Sequence, residues 1–305
     1  MIKKVFLLLY IIGSSHVGMA QRTNIEPQDV KISEYQDTIK ALAFTVINDP
    51  DEAERYNANF KMVRTIVKAL KIPNSFQFDF DSLKSITIQR SPDNNFRLFT
   101  WHVLNNNGTY RYYGAIQINT TNSLKLLPLL DFTSGIKSPQ DTVLNNEKWF
   151  GAQYYKIIPV IKDGKTPYYI LLGWKGNTAK STQKVIEVLY FRDGKAFFGM
   201  PLFDGNKTYQ DKNRIIFEYN RSASMLLNYE LKENRIVFDH LAPPDIEMKG
   251  DFALYGPDLS YDGFKLIKGR LSFLNDIRLT NPDSEIDKLY IDPKNPQKEI
   301  INKVR

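Results

Sequence analysis

The spacing of the apolar residues changes once along this chain, at Pro73, and that change narrows the possible folds more than any other feature. Before Pro73, apolar side chains recur at intervals of three and four, the period of a helix with one buried face. After it they alternate: Phe76, Phe78 and Phe80, then Ile86 and Ile88, then Phe96, Leu98 and Thr100. A period of two places every second side chain on one face of a strand. The chain therefore divides into a helical segment, 21–75, and a much longer β-rich domain, 76–279.

Two helices are expected in the first segment. Ser33 with Gln36 reads as a capping box, followed by Tyr35, Ile39, Leu42 and Val46 at helical spacing. Asp49, Pro50 and Glu52 sign the start of a second helix, with Ala53, Tyr56, Phe60, Val63, Val67 and Leu70 as its apolar stripe. The two are expected to form an antiparallel hairpin whose stripes face a sheet.

In the β-rich domain the turns are explicit. Asn107-Gly108, Asp163-Gly164, Asp193-Gly194, Asp204-Gly205 and Asp262-Gly263 are pairs that tolerate positive φ, with Lys268-Gly269 a weaker version. Tyr154–Ile161 is expected to pair with Tyr168–Trp174, and Val185–Phe191 with Ala196–Met200. Ser134–Trp149 interrupts the pattern, as does Gly176–Lys184, where a short helix is expected. Turns recur roughly every 30 to 40 residues without a shared motif, a range typical of blades or stacked meanders. The predicted class is mainly β: an N-terminal helical hairpin, then repeated antiparallel β-hairpins in a propeller-like arrangement, with a β-sandwich or open barrel as alternatives.

Residues 1–20 have the parts of a signal peptide: Lys3 and Lys4, the apolar run Val5–Ile12, and Gly18-Met19-Ala20 before Gln21. No later run of apolar residues approaches the ~20 needed to span a bilayer. Export to the periplasm or the exterior is the expected destination. The chain has no cysteine, so disulfides, thiol chemistry and cysteine-bound metals are excluded. The formal charge of +7 is scattered rather than striped, which argues against a nucleic-acid partner. An envelope glycan or protein is the expected kind of partner. The stretch 280–305 is polar and rich in proline, and is expected to be an appendage.

Several blocks carry a resemblance. They are Ser91–Trp101, Trp149–Ala152 with Tyr154–Pro159, Leu172-Gly173-Trp174, and Ile236–Pro244 with Tyr255–Asp258. Together they resemble an uncharacterised family of exported proteins from Gram-negative bacteria, across roughly 76–277. The resemblance implies export and a shared β-rich body, and carries no catalytic assignment.

The motifs of common enzymes are missing: no Gly-x-Ser-x-Gly, no His-Glu-x-x-His, no phosphate loop and no dinucleotide fingerprint. Ser181–Lys184 matches Ser-x-x-Lys without its companion elements. Asp204–Thr208 starts like a calcium loop, but Tyr209 stands where glycine is required. Beyond the signal segment there are two histidines, His102 and His240. Neither a three-histidine metal site nor any metal or cofactor site is expected. The densest group of chemically capable residues lies in Arg214–Phe264. From it Asp239, His240, Tyr255, Asp258, Tyr261 and Asp262 are candidate ligand-binding residues, with Trp101 as an aromatic platform outside it. No residue is assigned a catalytic role. The expected function is a non-catalytic binding or structural protein of the bacterial envelope. The alternative is a hydrolase acting on glycan or peptide, with an acid/base near His240.

Overall fold

A computed structural model describes residues 27–120, 123–162 and 164–279. The expected signal peptide and the polar stretch after residue 279 lie outside these, as does Asp163. Helix α1 spans Pro27–Asn48 and α2 spans Glu52–Leu70. The strands follow as β1 (Thr87–Arg90), β2 (Phe96–Leu104), β3 (Tyr110–Ile118), β4 (Lys125–Leu130) and β5 (Leu144–Asn145). After them come β6 (Gln153–Lys162), β7 (Lys165–Gly176), β8 (Ser181–Arg192), β9 (Lys195–Phe198) and β10 (Phe203–Asp204). The last are β11 (Ile215–Asn220), β12 (Leu227–Glu230), β13 (Arg235–Ala242), β14 (Gly256–Ile267) and β15 (Arg270–Leu274).

These strands make three sheets. The first is β1-β2-β3-β4; the second is β5-β9-β8-β7-β6, with β11 also on β8; the third is β10-β15-β14-β13-β12. Nearly every pairing is antiparallel, the exceptions being the short β10–β15 pair and an isolated bridge from Asp131 to Trp149. Three cores hold four layers together. Ile39, Val46, Met62 and Ile66 of the helices pack on Phe99, Trp101 and Val103 of β2. Phe96, Leu98 and Ile116 on the other face of that sheet meet Tyr154, Leu171, Val185 and Phe198 of the second. Ile170, Ile186 and Phe217 on the far face of the second sheet meet Ile236, Phe238 and Phe264 of the third. Strands β7 and β8 are thus apolar on both faces, because both faces are covered.

The mainly β class and the N-terminal helical pair stand. No closed barrel forms among the described residues, and the sheets hold four, six and five strands rather than one repeated unit. Several local expectations are corrected. Helix α1 starts at Pro27, so Ser33 lies inside the helix. The cap of α2 is Asp51, whose Oδ1 accepts from the Ala53 amide at 2.7 Å; Asp49 instead accepts from the Asp51 amide. The buried face of α2 is Arg55, Ala58, Asn59, Met62, Ile66, Ala69 and Leu70; Leu70 belongs to the expected apolar stripe, but the face as a whole is rotated from it by about one residue, and Phe60 is 60% exposed. Polar groups with dedicated partners set that rotation. Arg55 donates to Leu104 O and Asn106 Oδ1, and Asn59 Oδ1 accepts from Trp101 Nε1 at 2.7 Å.

The phenylalanines at 76, 78 and 80 do not form a strand. Their segment turns around the buried guanidinium of Arg97, which donates to the carbonyls of Ser75 and Phe78 and sits over the rings of Phe76, Phe80 and Phe99. Gly176–Lys184 holds no helix: β7 and β8 are joined by a tight turn in which the Thr178 amide donates to Ser181 O. Asp262-Gly263 is not a turn either, but lies inside β14. Glycine is needed there because a Cβ would stand 2.4 Å from the Ile236 carbonyl oxygen. The hairpins at Asn107-Gly108, Asp193-Gly194 and Lys268-Gly269 form, with positive φ at each of these glycines.

Candidate functional site

Strands β13 and β14 bring the sequence-nominated stretch to one end of the interface between the second and third sheets. There a cleft of about 600 Å³ opens. Its apolar wall is made by Phe217 of β11, Phe238 of β13 and Phe273 of β15, with Tyr209 from the preceding loop. Phe217 and Phe238 stand 4.5 Å apart between ring centroids, and Tyr209 meets both edge-on. The loop Ser138–Asp141 forms one rim, and Phe252 and Tyr255 the other. Tyr255 stays in place by accepting from the Gly250 amide at 3.1 Å and by a tilted contact with the Phe252 ring, 4.9 Å between centroids.

Polar groups enter this apolar frame with one sign of charge. The lining holds four carboxylates, Asp141, Glu218, Asp239 and Asp262, and no lysine or arginine among the described residues. Asp141 pairs outward with Lys212 at 2.7 Å. The other three have no cationic partner among the described residues. Glu218 accepts from Ser181 Oγ at 2.6 Å, Asn177 Nδ2 at 3.0 Å and Gln183 Nε2 at 3.1 Å. Asp239 Oδ2 accepts from the Leu226 amide, and Asp262 Oδ1 from the Asp276 amide. Burial pushes the Tyr209 hydroxyl up to about 12, with the Asp262 charge adding to the rise.

Of the seven candidates, Asp239, His240, Tyr255 and Asp262 line this cleft. Asp258 reaches it through His240, whose Nδ1 lies 2.7 Å from Asp258 Oδ2 at the exposed rim. Slight burial works against ionisation of Asp258. Hydrogen bonds from Ser260 and His240 outweigh it and hold the carboxyl below its usual value. Tyr261 is paired with Asp239 across β13 and β14 but does not line the cleft. Trp101 is no platform: it is buried under the helices, stacked on Tyr113 and bonded to Asn59. His102 is half-buried, held at Nδ1 by Gln153 and lowered in pKa by burial.

Sequence reasoning missed Gln183, Glu218 and Tyr209. Glu218 had a usable signal, a lone carboxylate inside the apolar run Ile215–Tyr219, on a strand that alternates buried and half-buried residues. Gln183 had none, since its neighbours suggested only a rejected enzyme motif. A smaller hollow is lined by Tyr110, Trp174, Lys184 and Arg221. Comparison with protein-family models, curated protein sequences and solved structures returned no match.

Proposed function

We propose that this chain is an exported, non-catalytic binding protein of the bacterial envelope, and that its ligand occupies the cleft between the second and third sheets. The observation that carries the reading is the cleft itself. Its volume of about 600 Å³ falls among small-ligand sites, and it combines an aromatic wall with a few convergent polar groups. Tyr209 and Tyr255 offer amphipathic faces at its mouth, suited to the body of a sugar or a short peptide. Export rests on the N-terminal sequence and on the resemblance to exported Gram-negative proteins. No helix among the described residues is long and apolar enough to cross a membrane. A propeller-like architecture also belongs to this proposal: three mostly antiparallel sheets pack face to face, as blades do.

The test is a thermal-shift screen of envelope glycans and short peptides against the full chain and two rim variants, Phe252→Ala and Tyr255→Ala. A ligand at 100 times its dissociation constant adds about 2.7 kcal/mol. The expected result is a rise in melting temperature that both variants reduce. An equal rise in all three proteins places the ligand elsewhere and overturns the reading.

One observation favours hydrolysis as a second reading. His240 is oriented by Asp258 at the rim of the same cleft, as the base of a hydrolytic site is oriented by a carboxylate. Turnover of a bound glycan or peptide, lost in His240→Ala while binding persists, is the outcome that would favour it.

A further inference from the structure

We infer that the cleft selects an organic cation, a primary ammonium or guanidinium on a hydrocarbon stem; this rests on the reading of the cleft as a binding site. Two independent observations point the same way. The first is charge. Glu218, Asp239 and Asp262 line the cavity without an ion-pair partner among the described residues, the first two from the strand faces opposite Phe217 and Phe238, although the chain as a whole carries +7. Carboxylates half-shielded from water attract a cation more strongly than surface ones, because the local dielectric is lower. The positive exterior repels the same ligand elsewhere, so the cleft is where it collects.

The second observation is an orphaned acceptor. Gln183 is 8% exposed, lines the cleft, and has no hydrogen-bond partner for Oε1 among the described residues. Its orientation is fixed, because Nε2 is spent on Glu218 Oε2, and a flip would set two oxygens against each other. A buried acceptor without a partner costs free energy until a donor reaches it. The acceptor and the three carboxylates together call for a ligand that only donates. Ammonium and guanidinium groups are the common chemical groups with several donors and no acceptor. The accessible aromatic faces of Tyr209, Phe252 and Phe273 then take the hydrocarbon stem, and rings beside a cation add to its binding.

A bare metal ion fits poorly. No three carboxylate or imidazole groups among the described residues come close enough together to hold one. The charges are spread around the cavity, which matches an extended cation rather than a point charge.

Isothermal titration of the full chain tests the inference, using Nα-acetyl-trilysine amide, the same peptide with its amines acetylated, and spermidine. The lysine peptide or spermidine is expected to bind about tenfold or more tightly than the acetylated peptide, and more weakly as salt rises. Tighter binding of the peptide identifies a peptide side chain as the source of the cation; tighter binding of spermidine identifies a free polyamine. Glu218→Gln and Asp239→Asn should each weaken the amine by about tenfold, whereas Glu233→Gln, in the distant turn between β12 and β13, should leave it unchanged. Asp239→Asn is included because Glu218 also accepts three internal hydrogen bonds, and circular dichroism checks that both variants fold. Equal binding of the acetylated peptide, or unchanged affinity in both carboxylate variants, overturns the inference. If no amine binds while a neutral ligand gives a Tyr255-dependent thermal shift, cation selection falls and the binding cleft stands. If nothing binds, both fall.

Discussion

Arg214 Nε lies 2.7 Å from Glu187 Oε2, and both side chains are completely buried. The rest of the guanidinium is spent on backbone: it donates to the carbonyls of Pro139 and Thr142 and, at 3.0 Å, to that of Phe198. Burial pushes the Glu187 carboxyl up, and the Arg214 charge opposes the rise. The pair thereby ties the loop that forms one rim of the cleft to β8, β9 and β11. Arg214→Met should cost about 3–5 kcal/mol, since it leaves a buried carboxylate unpaired. Adding Glu187→Leu should recover part of that loss. Urea unfolding of the single and double variants measures both, and a single-variant cost below about 1 kcal/mol would contradict the assignment.

A second buried cation gives a pH prediction. Burial lowers the Lys175 amine from 10.5 to about 7, although the Asp131 charge favours its protonated form. Its Nζ donates to Gly151 O and Thr133 Oγ1 and stands 4.3 Å from the centre of the Tyr112 ring. Below about pH 7 both folded and unfolded chains hold this proton, so this group contributes no slope there. Between about 7 and 10.5 the unfolded chain holds it and the folded chain does not, so stability rises with pH. Stability measured from pH 7 to 9 should therefore climb in the parent and lose that climb in Lys175→Met. The same slope in both proteins would contradict this.

The register of α2 is tested by adjacent residues. Asn59→Ala removes the acceptor of the buried Trp101 N–H and should cost about 1–3 kcal/mol. Phe60→Ala, at an exposed position, should stay within about 0.5 kcal/mol of the parent. The reverse order of effects would restore the apolar stripe as the buried face.

Gly263 and Gly194 separate two uses of glycine. A Cβ at Gly263 would meet both the Ile236 carbonyl oxygen and Ile277 Cδ1, so Gly263→Ala should cost about 1–3 kcal/mol in thermal or urea unfolding. Gly194, in an open hairpin turn at φ 74°, has nothing near its missing Cβ. Gly194→Asn should cost less than Gly263→Ala, because asparagine tolerates that backbone region.

What the sequence made legible follows from how local the signals are. The period change at Pro73 and the turn pairs at Asn107, Asp193 and Lys268 depend on neighbouring residues, and the structure follows them. The helix face was misread because Arg55 and Asn59 are buried through partners some fifty residues away, at Leu104, Asn106 and Trp101. The Phe76–Phe80 segment was misread for the same reason, since Arg97 reaches it from β2. Asp239, His240, Tyr255 and Asp262 could be nominated together because β13 and β14 are sequence neighbours. Glu218 and Gln183 reach the cleft by the pairing of β11 with β8, a crossing no local pattern announces.

Hydrogen–deuterium exchange of the full chain tests the central claim most directly. It would be run with and without the ligand that most raises the melting temperature. Binding in the cleft should slow exchange in 138–142, 216–218 and 238–241, segments that supply its rim and walls. Protection confined instead to the helices, or to the hollow around Lys184 and Arg221, would contradict the account.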